Sequence, residues 1–455
     1  MSDIEDDDGD AKMKEFTKNL MEDSNMKSLF DGLFESMNER DKSILELLNE
    51  KERLNVPFSP DDIIHIVMKR DVEKFRKAIR HGDNKTTILT YESNDDEGFY
   101  GQTAALKVLV SDDDQKNMDC LQILIDEIGT DFLFQYKDSQ GDSLLHMAAE
   151  GGAIECCRFL LEKGLSTEIR DKDMLTALHR SILSERYEKT EKMSIECAKL
   201  LIESGASVTA VDEDGNTALH FLAYSCQNED ECSLMQLCID KGADLEAINH
   251  RGRTPLMEAC YYVREVPSVI LTSSIQSLLE LGADVHIRSV KEDASYQNIT
   301  EPLILAAGGC TDVIALLVAA GVDVNARDKN GNTAMHLVAQ SWNMMKWAIP
   351  SSSILLKKGI NIDSQNYKGL TALHLAAANR DGYGQKLCQY LLSKGATVAT
   401  VDCDGNTALH LARRVEIVNI LLVISLLFLL YHLHNNLHHH HHHRNLGKIL
   451  CSYQY

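Results

Sequence analysis

Six histidines occupy one place in a recurring heptapeptide: His146, His179, His220, His336, His374 and His410. Imidazole can ligate a metal, act as a general base, or serve as a neutral hydrogen-bonding group. Spacing argues against the first two. Copies in adjoining units lie 33 to 41 residues apart, and His220 and His336 lie 116 apart, too far from one another to share a metal. No copy belongs to a His-Glu-x-x-His pair, and the chain has no phosphate loop, no dinucleotide Gly-x-Gly-x-x-Gly and no nucleophile elbow. The twelve cysteines fall in no zinc-like paired spacing. Cys157, Cys197, Cys238 and Cys388 sit at helical positions, as expected of buried, reduced thiols in a cytoplasmic protein. The expectation is a non-enzyme with no catalytic residue, no cofactor and no metal.

The elements that carry these histidines repeat with them. Asp214–His220 returns as Asn330–His336 and as Asp404–His410. Looser copies read Gln140–His146, Met174–His179, Arg251–Met257 and Gly369–His374. Each copy begins with a turn, usually holding a Gly, and continues into a short helix opened by Thr or Ser, which are N-capping types. A second apolar helix follows, then Gly and a small residue, as in Ser204-Gly205-Ala206 and Lys394-Gly395-Ala396. A Gly there supplies the left-handed conformation that ends a helix. Self-similarity at this period means a stack of small units, each touching only its neighbours.

The pattern resembles the ankyrin repeat, a β-turn plus two helices with a Thr-Pro-Leu-His core, over about residues 58–424. Among these copies Pro255 is the only proline in its slot; Ala, a good helix former, mostly replaces it. The resemblance implies an all-α ankyrin solenoid of helix-turn-helix units with short β-hairpin turns. It also implies that each imidazole bonds across adjoining turns together with the Thr of its motif. The chain then reads as an acidic disordered tail (1–24), amphipathic helices (25–57), degenerate repeats (58–137), seven clear repeats (138–401), a truncated repeat running into an apolar helix (402–431), and a His-rich tail (432–455). Helices in 25–57 either cap the first repeat or present their apolar face to a partner. The first degenerate unit is expected to pair helices over Asp61–Lys69 and Val72–Arg80.

Function follows from what such stacks do. The formal net charge of -23 argues against nucleic acid as a partner. The resemblance implies a noncatalytic scaffold or adaptor for one or more proteins, binding through the concave face. Several repeats carry insertions between their two helices, and insertions on one side of a solenoid often form its binding face. Tyr261 and Tyr262 lie in one insertion, and Trp342 and Trp347 in another. They either form a partner-binding ridge or pack their loops onto the stack.

Two further resemblances suggest modification. Asp23-Ser24-Asn25-Met26-Lys27-Ser28 resembles the phosphodegron of inhibitor-of-NF-kappa-B proteins, with Asn25 in place of Gly. It implies a regulatory inhibitor switched by phosphorylation of Ser24 and Ser28. Asn325, with Leu317, Asp323 and Val324 before it, is similar to substrates of the cytosolic ankyrin asparaginyl hydroxylase. The apolar segment Val418–Tyr431 is read three ways: a buried last helix, a membrane anchor, or an atypical chain end. Its apolar stretch of about 15 residues falls short of the ~20 that span a bilayer.

Overall fold

A computed structural model describes residues 63, 66–80, 109–110, 113, 115–183, 191–226, 229–265, 270–288, 301–341, 345–379 and 382–437. Residues 25–57, and with them the expected N-terminal helices, lie outside the described residues. The chain divides into two compact units, one holding residues up to 109 and 114–132, the other 110–113 and 133–455.

In the first unit, α1 (Val72–Arg80) packs on α2 (Gln115–Ile128). Asp71 opens α1 by accepting the Lys74 N–H at 3.1 Å. Phe75, Ala78 and Ile79 on α1, and Cys120, Leu121 and Leu124 on α2, are buried. Their i, i+3, i+4 spacing puts each set on one helix face. Arg80 and Glu127 close the rim with a 3.0 Å ion pair.

The second unit is a run of helix pairs. First helices are α3 (Leu144–Glu150), α5 (Ala177–Leu183), α7 (Ala218–Ser225), α9 (Pro255–Glu265), α11 (Pro302–Ala306), α13 (Ala334–Gln340), α15 (Ala372–Ala378) and α17 (Ala408–Leu411). Second helices are α4 (Ile154–Glu162), α6 (Glu191–Glu203), α8 (Glu229–Asp240), α10 (Ile270–Glu280), α12 (Thr311–Ala319), α14 (Met345–Lys357), α16 (Gly382–Ser393) and α18 (Val415–Leu437). First helices pack on first helices and second on second, giving two layers. Cys157, Cys197, Cys238 and Cys388 are buried in the second layer as small apolar side chains. Burial alone pushes the Cys238 and Cys388 thiols up to about 12, which keeps them protonated and inert.

The turns are organised by one Asp or Asn three residues before the tip. Asp328 Oδ1 accepts the N–H groups of Asn330 and Asn332 at 2.8 and 2.7 Å. Asn366 and Asp402 do the same one and two units later. Single backbone bonds join successive tips: Lys172 to Gln140, His250 to Asp214, Tyr367 to Asn330, Cys403 to Lys368. Among the described residues this gives no strand, only an isolated bridge between Val401 and Thr407. The tips must be small for these bonds to form. A Cβ on Gly369, at φ +71°, would stand 2.7 Å from the Cys403 nitrogen. Met174 takes the same left-handed place at φ 62° in its own turn.

Four of the histidines work at both ends of the ring. The Thr217 N–H donates to His220 Nδ1 at 3.2 Å, with Thr217 Oγ1 3.0 Å from the same nitrogen. The ring thus takes the place that Glu or Gln holds in a capping box. Because Nδ1 accepts, the proton sits on Nε2, which donates to the Arg253 carbonyl of the next unit at 2.9 Å. His146 reaches Leu175 O, His336 reaches Leu370 O and His374 reaches Asn406 O, at 2.9 to 3.1 Å. His179 differs: its Nε2 makes no hydrogen bond of normal geometry, and its ring stands edge-on to Phe221, centroids 5.3 Å apart. Burial lowers the pKa of all five, to about 4 for His146 and His179. They are neutral connectors between units.

Candidate partner-binding site

The first-helix layer carries an aromatic file over three consecutive units. Tyr224 closes α7, four residues after His220. Tyr261 stands at the equivalent position of the next unit, four after Met257, with Tyr262 beside it. Tyr224 and Tyr262 stack at 4.4 Å with an interplanar angle of 29°. Tyr261 meets Tyr262 edge-on at 6.1 Å. Behind them Phe221 meets Tyr224 at 5.9 Å and His179 at 5.3 Å. Offset and edge-on pairs of this kind add to burial because ring edges are positive and ring faces negative.

A charged group closes the other end. The Arg253 guanidinium lies 3.7 Å from the Tyr261 ring centroid. Glu258, buried, holds Arg253 at 3.3 Å and Arg251 at 3.8 Å. Arg251 also reaches Asp214 at 3.0 Å, and Asn249 Nδ2 donates to Asn216 Oδ1 at 2.8 Å. A buried carboxylate is costly alone; here two guanidinium groups compensate it. The three tyrosines remain half-exposed while their rings are fixed from both sides.

The local fold corrects one expectation. Tyr261 and Tyr262 are not on an inter-helix loop. They belong to α9, which runs 11 residues where α3, α5, α13 and α15 run 7. The inserted residues continue the helix because Cys260 and Val263, three apart, are both buried. Val263 has room because the next unit carries Gly309, where a Cβ would lie 2.9 Å from Val263 Cγ1.

The structure does not gather all four ridge residues in one place. Trp347 lies in α14, a second helix, half-buried, with its carbonyl accepting from Thr311 Oγ1 at 3.3 Å. That hydroxyl serves a helix containing Pro350, which has no N–H to donate. Trp342 lies outside the described residues, as do Ser24 and Ser28. Tyr224, Phe221 and Arg253 also belong to the cluster; aligning the repeats places Tyr224 opposite Tyr261, whereas neither type nor spacing singles out Phe221 and Arg253 in the sequence. Asn325 is exposed; its N–H is held by Asp323 Oδ1 at 2.9 Å and its Oδ1 faces the Asn361 N–H at 3.4 Å. His410 caps α17 through Thr407, at the exposed end of the row.

Among the described residues, no three His, Cys, Asp or Glu side chains are grouped to hold a metal. Among the same residues no helix is long and apolar enough to cross a membrane.

A family model described as ankyrin repeats (3 copies) matches residues 106–209, 189–289, 303–399 and 348–426. The chain is also similar to the crystal structure of the ankyrin repeat domain of Bcl-3, titled a unique member of the IkappaB protein family. Identity there is 23%, covering 62% of this chain and 99% of that one, with a TM-score of 0.35. The human ASB11 ankyrin repeat domain is 18% identical over 62% of this chain and 97% of its own, with a TM-score of 0.38.

Proposed function

The chain belongs to the ankyrin-repeat family, and on that premise we propose that it is a noncatalytic scaffold or adaptor for a protein partner. Ankyrin repeats generally bind proteins, and the finer reading concerns where. The tyrosine file Tyr224–Tyr262–Tyr261 is the proposed centre of the site. The observation that carries this is its combination of exposure and fixed geometry: rings half open to solvent, yet stacked at 4.4 Å and backed by Arg253 at 3.7 Å. Aromatic and Arg side chains dominate the energetics of interface cores. Rings already ordered lose little freedom on binding. Trp347, on the neighbouring layer, is proposed as a second contact, and Trp342, outside the described residues, is proposed to act with it. Asn325 is proposed as a hydroxylation site, readable as a mass shift in peptides of the native protein. The proposed location is the cytoplasm, where buried thiols stay reduced.

The test is capture of partners from native cells by the wild-type chain and by Tyr261→Ser/Tyr262→Ser. Partners lost with unchanged thermal unfolding support the site. Partners retained by the variant overturn it.

A further inference from the structure

The last helix is built unlike every other second helix. α18 spans 23 residues, whereas its neighbour α16 spans 12. At 1.5 Å per residue the difference is roughly 16 Å of helix with no equal neighbour to lie against. Among the described side chains of α18, only Ile417 and Leu421, in its first turns, are buried. Beyond them Leu422, Val423, Leu426, Leu427, Leu429 and Leu430 are each between 40% and 61% exposed. A solenoid normally ends in a repeat with a polar outer face. α18 instead presents an apolar face.

We propose that α18 pairs with α18 of a second copy of this chain. Three observations favour that occupant. The first is spacing: Val423, Leu426, Leu430, Leu433 and Leu437 follow one another at intervals of three, four, three and four residues. That is the a/d spacing of a coiled coil, with Val423, Leu430 and Leu437 at a and Leu426 and Leu433 at d. The second is charge. The chain carries -23, so two copies repel over most of their surface, but Ile417–Leu437 contains no Asp, Glu, Lys or Arg. Two copies can approach there without like-charge contact. The third is area. Six side chains so exposed amount to on the order of 500 Å² of apolar surface, near the largest patch a soluble monomer leaves open. Joining two such faces removes about 1,000 Å², the lower bound for a specific interface. A bilayer is the less suitable cover, because the apolar stretch of about 15 residues is short of the ~20 needed to span it.

Sedimentation velocity of the full chain, without lipid or detergent, tests this. The wild type is expected at twice the chain mass of 50.9 kDa at micromolar concentration. Leu426→Glu/Leu430→Glu changes two exposed positions, so thermal unfolding should hold while association weakens by about 100-fold or more, each charge being desolvated in the seam. Val415→Glu, on the same helix, should leave the dimer intact, since Val415 is off the seam and 71% exposed. The proposal fails if the wild type stays at the chain mass, or if the double variant still dimerises. It also fails if the wild type stays at the chain mass yet floats with phosphatidylcholine vesicles, which would make the bilayer the occupant.

Discussion

The junction between the last two repeats and the free end beyond it use the same heptapeptide with different results. At the junction, His374 takes the Thr371 N–H on Nδ1 and gives its Nε2 proton to Asn406 O. One repeat on, His410 takes the Thr407 N–H in the same way, but it is exposed, and among the described residues no further turn accepts from its Nε2. The motif therefore encodes half of a joint, and the following unit supplies the other half. Such stacks have stability that belongs largely to interfaces between units. In the second layer Leu391 of α16 and Leu421 of α18 are both buried, whereas Leu426, further along α18, is half-exposed.

Removing an imidazole from each side should break the comparison most strongly. His374→Ala strands the Thr371 N–H and leaves the Asn406 carbonyl with only the Asp402 N–H, and is expected to cost about 2–3 kcal/mol. His410→Ala loses only a local cap and should cost no more than about 1 kcal/mol. Urea unfolding of the two variants measures both; equal costs would remove the distinction.

Acid should act on the interior alone. His146 and His179 titrate at about 4 in the fold against 6.5 unfolded, so the unfolded chain binds the extra protons between those values. Stability is then full above pH 6.5 and falls as pH drops toward 4, by up to about 1.4 kcal/mol per pH unit for each such ring. His220, His336 and His374 shift in the same direction. Urea midpoints followed from neutral to mildly acid pH should fall steeply. A flat profile would mean that the rings are not neutral connectors.

Two interior irregularities sharpen the comparison further. In regular turns an Asn donates to the turn Asp, as Asn216 Nδ2 does to Asp212 Oδ2 at 2.9 Å. Asp142 replaces that Asn. Burial, with Asp138 and Asp171 nearby, raises its pKa to about 7 despite Arg180 at 3.3 Å. Asp142 therefore opposes the histidine trend, favouring the fold as pH falls from about 7 toward 3.8, and burial raises Glu246 and Glu301 in the same direction. Asp142→Asn should stabilise the chain above pH 7 by about 1–2 kcal/mol, the gain being limited by the lost contact to Arg180. A loss of stability in thermal unfolding would contradict this. Met174, left-handed and 45% exposed, is the smallest case. Met174→Gly relieves its backbone at little packing cost and should gain about 1 kcal/mol, offset in part by greater unfolded-state freedom.

Much of this architecture is legible in the amino-acid sequence itself. The heptapeptide, the capping Thr and the Gly after each second helix mark the helix pairs, and apolar spacing gives Val72–Arg80 at the observed bounds. These are local signals with fixed periods. The site is legible only in part. Tyr261 and Tyr262 stand out by type, but the extra turn of α9 depends on Val263 fitting against Gly309, a contact between units. Tyr224 can be found by aligning repeats, since it shares a position with Tyr261. Arg253 over Tyr261 cannot, because that contact joins a turn to a helix face eight residues on. The ring geometry of His220 is likewise hidden. Sequence shows a row of imidazoles, while the direction of each proton follows from which backbone group faces which nitrogen.

Nitrogen-15 imidazole NMR on the full chain tests the central claim, that the row of histidines is a set of neutral joints between repeats. His146, His220, His336 and His374 should each show a proton on Nε2 and none on Nδ1, and should remain neutral as pH falls through 6.5, their unfolded value. Protons on Nδ1, or protonation near pH 6.5 while the chain stays folded, would contradict the account and reopen these rings to other chemistry.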